Sequence, residues 1–139
     1  MFTGLVIGVI MSVPAVISNY MRPGANLPII VDIKAFWGGT ISKDHVLLWS
    51  LVNHWAMSAI YGGVYVLLVT RNLFSPGYFF SEGLIYALGF NLITGLALYP
   101  LLGFGVYGKK EGAWVWTEMV ITHFFYAVLF YAAAHFLFL

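Results

Sequence analysis

The run VLLWSLVNHWAMSAIYGGVYVLLVT, from Val46 to Thr70, contains no Asp, Glu, Lys or Arg. At 1.5 Å of rise per residue, a helix of this length outreaches the ~30 Å hydrocarbon core of a bilayer. A membrane strand would instead alternate in polarity over ~10 residues, and this run does not. It reads as a transmembrane helix. Three further apolar runs of suitable length lie at about Thr3 to Tyr20, Tyr78 to Leu102 and Ala113 to Leu139. Together they account for most of the 139 residues, of which 62% are hydrophobic and 8% charged. Soluble chains carry about 25% charged residues, too many for this composition to match. The expected fold is therefore all-α: one transmembrane domain over 1–139, a polytopic four-helix bundle.

Composition also removes several functions. A net charge of +1 with scattered cations gives nucleic acid no electrostatic footing. The absence of cysteine removes disulfides, thiolate metal sites and cysteine nucleophiles. No Gly-rich phosphate loop, HExxH, GxSxG or suitably spaced pair of carboxylates is present, so an enzyme acting alone is not expected. The first run lacks the basic start and small-x-small cleavage site of a signal peptide and reads as a retained span.

Helices two and three are joined by Arg71–Gly77, and three and four by Gly103–Gly112, both short enough for antiparallel hairpins. The connection from Met21 to His45 is longer, and Arg22-Pro23-Gly24 and Leu27-Pro28 break any helix there. Within it, Ile29 to Trp37 is apolar with two charges and an aromatic end, which suits an interfacial or re-entrant segment between helices 1 and 2. Arg22, Lys34, Lys43, Lys109 and Lys110 fall on one side and Arg71 on the other. The positive-inside rule then leaves both termini outside the cytoplasm.

Lipid gives helices no hydrophobic reason to pair, so close association depends on small residues that let backbones approach. The first helix carries Gly4, Gly8, Ser12, Ala15 and Asn19; the second, Ser58 and Gly62 below His54; the third, Gly83, Ala87, Asn91 and Gly95. The halves also align: Gly4-Leu5 with Gly83-Leu84, Gly8 with Ala87, Ser12 with Asn91, His54 with His123, and Ser58 with Ala127. A tandem two-helix hairpin repeat follows, with His54 and His123 at comparable depth.

Four stretches carry a family resemblance: Gly4-Leu5-Val6-Ile7-Gly8, Leu27 to Lys34, His54 to Gly62, and Tyr99 to Gly105. In these the chain resembles the small four-helix bacterial inner-membrane proteins of the YagU-like kind, over nearly its whole length. The resemblance implies the fold and a multi-pass place in a bacterial cytoplasmic membrane. It implies no chemistry.

Ionisable side chains at membrane depth are expensive and point to function by default. Here they are His54, Glu118, His123 and His135, with Glu82 near a helix start. His54, Ser58, Tyr61 and Tyr65 share one helical face. Glu118 lies ~140° around its helix from His123, so the two are not an acid–base pair. The plain expectation is that each histidine hydrogen-bonds a neighbour across the bundle, with no cofactor. The sharper one is an electron-transfer anchor holding haem b or quinone through His54 and His123. A Zn or Cu site from His54, His123 and Glu118 fails because its ligands diverge. A small ion or proton transporter would use Asn91, Glu82 or Glu118, but Pro14 and Pro100 do not occupy matching repeat positions. Aromatic residues are expected mainly at lipid faces and interfacial belts, Trp37, Trp49, Trp114 and Trp116 among them. Because the last helix runs apolar to its end, the favoured role is a non-catalytic subunit or accessory protein. Its partners would be lipid and other membrane subunits or a second copy of itself.

Overall fold

A computed structural model of the chain describes residues 2–22, 27, 30–36, 39–76 and 79–137. Among these, the long elements are all helical: α1 (Phe2–Met21), α2 (Lys43–Thr70), α3 (Phe80–Leu101) and α4 (Val115–Leu137). Four helices, over Phe2–Met21, Lys43–Thr70, Phe80–Leu101 and Val115–Ala133, are long and apolar enough to cross a membrane. The only strands among the described residues are β1 (Ala35–Phe36) and β2 (Gly39–Thr40), a minimal antiparallel ladder before α2. Local chemistry sets the helix ends. Ser42 precedes α2 in an extended conformation, and its Oγ lies 2.8 Å from His45 Nδ1. Asn72, at φ 56°, turns the chain after α2, a left-handed position that asparagine tolerates. Gly103 at φ 90° and Gly105 at φ 74° do the same after α3.

The most extensive helix packing pairs α1 with α2 and α3 with α4, and α1 also meets α4. The first seam is made by small residues. A Cβ added to Gly4 would sit 2.9 Å from Gly62 Cα, and one added to Gly62 would sit 2.8 Å from Gly4 Cα. Ser58 occupies the place a Gly8 side chain would need. Farther along, buried Ser12 donates to the Val9 carbonyl at 2.7 Å and accepts from Trp55 Nε1 at 3.1 Å. Ala87 and Asn91 are buried on α3, and Gly95 lies under the Tyr107 ring, 2.5 Å from where its own Cβ would be. Gly83 departs from the expected stripe: a Cβ there would meet nothing within 4 Å. It borders a small void lined by Tyr65, Phe79, Phe130 and Tyr131, because rings rather than backbones fill that level of the bundle.

The interior also corrects the expectation for aromatic residues. Trp49, Trp114 and Trp116 are about half exposed or more, and Trp37 lies outside the described residues. The core itself, however, is built from Tyr61, Tyr65, Tyr86, Phe90, Tyr126 and Phe130, packed with Ile7, Met11, Ala87 and Ala127. In helices that are apolar all round, the face toward lipid and the face toward protein have the same polarity, so periodicity does not separate them. Two tyrosine hydroxyls tie the helix pairs together. Tyr86 OH donates to the Tyr61 carbonyl at 2.7 Å, and Tyr126 OH donates to the Gly4 carbonyl.

Residues 30–34 of the long connection are not helical; Ile30 and Ile33 are buried and Lys34 is exposed. Ile30 packs with Leu27 and Ala15, and Ile33 with Tyr99, Phe104, Val115 and Met119. The Ile33 amide donates to buried Ser50 Oγ at 2.9 Å, and the Leu27 amide to Asp32 Oδ1 at 2.9 Å. Ile29 falls outside the described residues. Ser50→Ala removes the acceptor of a buried amide, which costs about 1–2 kcal/mol locally. The Ile33 amide should then exchange about tenfold faster with solvent deuterium, while amides in the middle of α2 keep their wild-type rates.

Candidate functional site

Between α2, α3 and α4 lies a partly open chamber with about 70 Å³ of room for water-sized molecules. One face of α2 supplies Asn53, His54, Met57, Ser58 and Tyr61; α4 supplies Met119, Thr122, His123 and Tyr126. Both sets recur every three or four residues, as one helical face does. From α3 come Phe90, Thr94 and Tyr99, spaced by four and then by five. The change in spacing has a local cause: Thr94–Leu98 is a π-helical turn. Its wider turn delays the phase by one residue, so Tyr99 rather than Leu98 returns to the chamber side. Val31, from the non-helical segment before α2, completes the lining.

The polar groups in this chamber are unequally satisfied. His123 Nδ1 lies 2.8 Å from the Met119 carbonyl, which can only accept, so Nδ1 carries the hydrogen and Nε2 the lone pair. Buried Asn91 places its Nδ2 3.4 Å from the same Nδ1. Thr122 Oγ1 donates to the Glu118 carbonyl at 2.7 Å. The His54 ring approaches the Gly8 backbone, but its Nε2 is buried without a hydrogen bond. Thr94 Oγ1 is likewise buried without a partner. Among the described residues one other side-chain atom shares that condition, Thr117 Oγ1, which does not line the chamber. No Asp, Glu, Lys or Arg is among the described lining residues.

The structure therefore brings His54 and His123 to one chamber, together with Ser58, while Asn91 lies beside the His123 ring. Gly4, Gly8, Ser12 and Gly62 lie in the α1–α2 seam, and Gly95 lies within the π turn. Glu82 is occupied elsewhere, accepting from the Ser75 amide at 2.9 Å and the Ser75 hydroxyl at 2.7 Å. Glu118 opens into a separate crevice with Asp32, Lys34, Glu111 and Trp114. His135 is exposed and stacks on Tyr131, with ring centroids 4.5 Å apart. Among the described residues, no three His, Asp or Glu side chains converge as metal ligands would.

Thr94, Asn53 and Val31 are chamber residues that sequence reasoning did not single out. Their traces in the sequence were single polar residues, Asn53 and Thr94, in apolar runs. Comparison with family models, with curated proteins and with solved structures returns no match.

Proposed function

We propose that this chain is a non-catalytic, multi-pass membrane protein that admits a small solute into the interior of its bundle. One observation carries the reading: among the described residues, two of the three buried polar side-chain atoms without partners belong to residues lining the same chamber. Buried polar groups are ordinarily paired, so a pair left open around a shared space calls for an occupant. In this reading the chain lies in a bacterial cytoplasmic membrane. The loops bearing Arg22, Lys34, Lys43, Lys109 and Lys110 face the cytoplasm, and both termini lie outside it. Residues 30–34 form a re-entrant closure of the chamber's end. The pairing of α1 with α2 and of α3 with α4 is the arrangement a tandem hairpin repeat would have.

Osmotic re-swelling of proteoliposomes tests this directly. Vesicles containing the protein should take up one or more small uncharged solutes faster than protein-free vesicles. Thr94→Leu, which fills the chamber, should remove the difference. Equal rates for every solute sink the reading.

Lipid-facing surfaces support a second role. Val9, Ile10, Val13, Val16 and Ile17 leave the outer side of α1 exposed and apolar, as the face of an accessory subunit within a larger complex or oligomer would be. Lipid covers such a face equally well, so this role rests on native mass spectrometry from lipid: a monomer throughout rejects it. A haem b between His54 and His123 would need far more than 70 Å³. An absorption spectrum without a Soret band disposes of that alternative; a quinone headgroup would face the same limit of space.

A further inference from the structure

We infer that the chamber selects compact, electrically neutral solutes that hydrogen-bond in two directions, simple amides among them. This inference rests on the reading of the chamber as a solute site.

Three observations narrow the class. First, the size: about 70 Å³ admits a molecule of a few heavy atoms and excludes sugars, nucleobases and most amino acids. Second, the charge: without a carboxylate, ammonium or guanidinium among the described lining residues, an ion would enter a space walled by Met57, Phe90 and Met119 with no counter-charge. Desolvating an ion without a counter-ion is far costlier than desolvating a neutral dipole. Third, the polarity: the open groups, His54 Nε2 and Thr94 Oγ1, sit on α2 and α3. An apolar guest of the right size would leave both unpaired. A guest able to donate and accept would satisfy them together once the two side chains turn toward the chamber, both atoms being closed to a water-sized molecule as they stand. Sites built around buried hydrogen-bonding groups reject analogues that lack the matching group much more strongly than apolar pockets discriminate by size.

Acetamide, acetate and acetone have the same heavy-atom shape and separate these properties: neutral with donor and acceptor, charged, and neutral without a donor. Saturation-transfer NMR on the full chain in nanodiscs, with empty nanodiscs as background, reads their binding. A ligand this small binds weakly, so millimolar saturation is expected. Acetamide should give a saturable signal, with acetate and acetone weaker by about tenfold or more. Thr94→Val keeps the side-chain shape and should weaken acetamide by about tenfold, as should His54→Phe if that variant folds. Acetate or acetone binding as well as acetamide overturns the inference, as does acetamide binding unchanged in Thr94→Val. If acetamide fails to bind while re-swelling with some other solute is still accelerated, the solute class is wrong and the solute site stands. If neither is seen, water alone fills the chamber and both readings fall.

Discussion

Replacing Gly62 by Leu is expected to destabilise the bundle by about 3 kcal/mol or more, the upper end of what overpacking costs. The reason lies in what its neighbour is made of. A Cβ at position 62 would stand 2.8 Å from Gly4 Cα and 3.0 Å from Gly4 N, so the obstruction is backbone and does not rotate away. The remainder of a leucine would also press toward Phe130, whose Cε2 lies 3.6 Å from the same point. Relief requires α1 to move off α2, which opens the Ser58 and Trp55–Ser12 contacts along the same seam. It also displaces the Gly4 carbonyl from Tyr126 OH. Gly83→Ala is the matched control. With nothing within 4 Å of the new methyl group, it exchanges a poor helix former for the best one, and stability should hold or rise by up to about 1 kcal/mol. Reversible unfolding by dodecyl sulfate in mixed micelles measures both. Equal effects at positions 62 and 83 would mean that the small residues of α1 and α2 do not define the seam.

Those two glycines also show how far the sequence could be read. The helices lie where apolar length puts them: Thr3 to Tyr20 becomes Phe2–Met21, and Val46 to Thr70 becomes Lys43–Thr70. Apolar length is a property of each segment by itself, and it survives folding. Whether a given glycine meets another helix depends on the rotation of two helices about their axes. Gly62 and Gly83 look alike in their own segments and differ only in what crosses them. The chamber was partly legible, since His54 and His123 stand out as ionisable groups in apolar runs. Thr94 was not, because the π turn that shifts the phase of α3 has no marker beyond Thr94-Gly95. The tight approach of Tyr107 to Gly95, with Tyr107 itself held at φ 51°, is set by the loop after α3 rather than by the helix sequence. The stretch from Ile29 to Trp37 carried the apolar pattern of an interfacial element. Ile33 within it is buried beside a partner some distance along the chain, the Ser50 hydroxyl that accepts from its amide.

Tyr61→Ala should be the most damaging truncation in the core, at about 3 kcal/mol, the low end for removing a large buried aromatic ring. The low end applies because the unfolded helices remain in lipid, so packing is lost without exposure to water. Tyr61 is the hub of the aromatic cluster: its ring centroid lies 4.5 Å from Tyr126, 4.6 Å from Tyr86 and 5.0 Å from Phe90, joining α2 to both α3 and α4. No other side chain can swing into the space, because each neighbouring ring is held by its own contacts; Tyr86, for one, is fixed by its hydroxyl on the Tyr61 carbonyl. That bond uses the backbone of residue 61 and survives the truncation, so the loss reports ring packing. Tyr86→Phe removes the bond and keeps the packing, and should cost about 0.5–1.5 kcal/mol, the range of single polar contacts between membrane helices. The two variants therefore separate the aromatic contribution from the hydrogen-bonding one. Tyr61 also lines both the chamber and the void beside Gly83, and stands as the wall between them. Removing its ring should merge the two spaces. In re-swelling measurements Tyr61→Ala should then pass larger uncharged solutes that the wild type excludes. A variant that is destabilised yet keeps the wild-type size limit would show that selection by size occurs elsewhere than in this chamber.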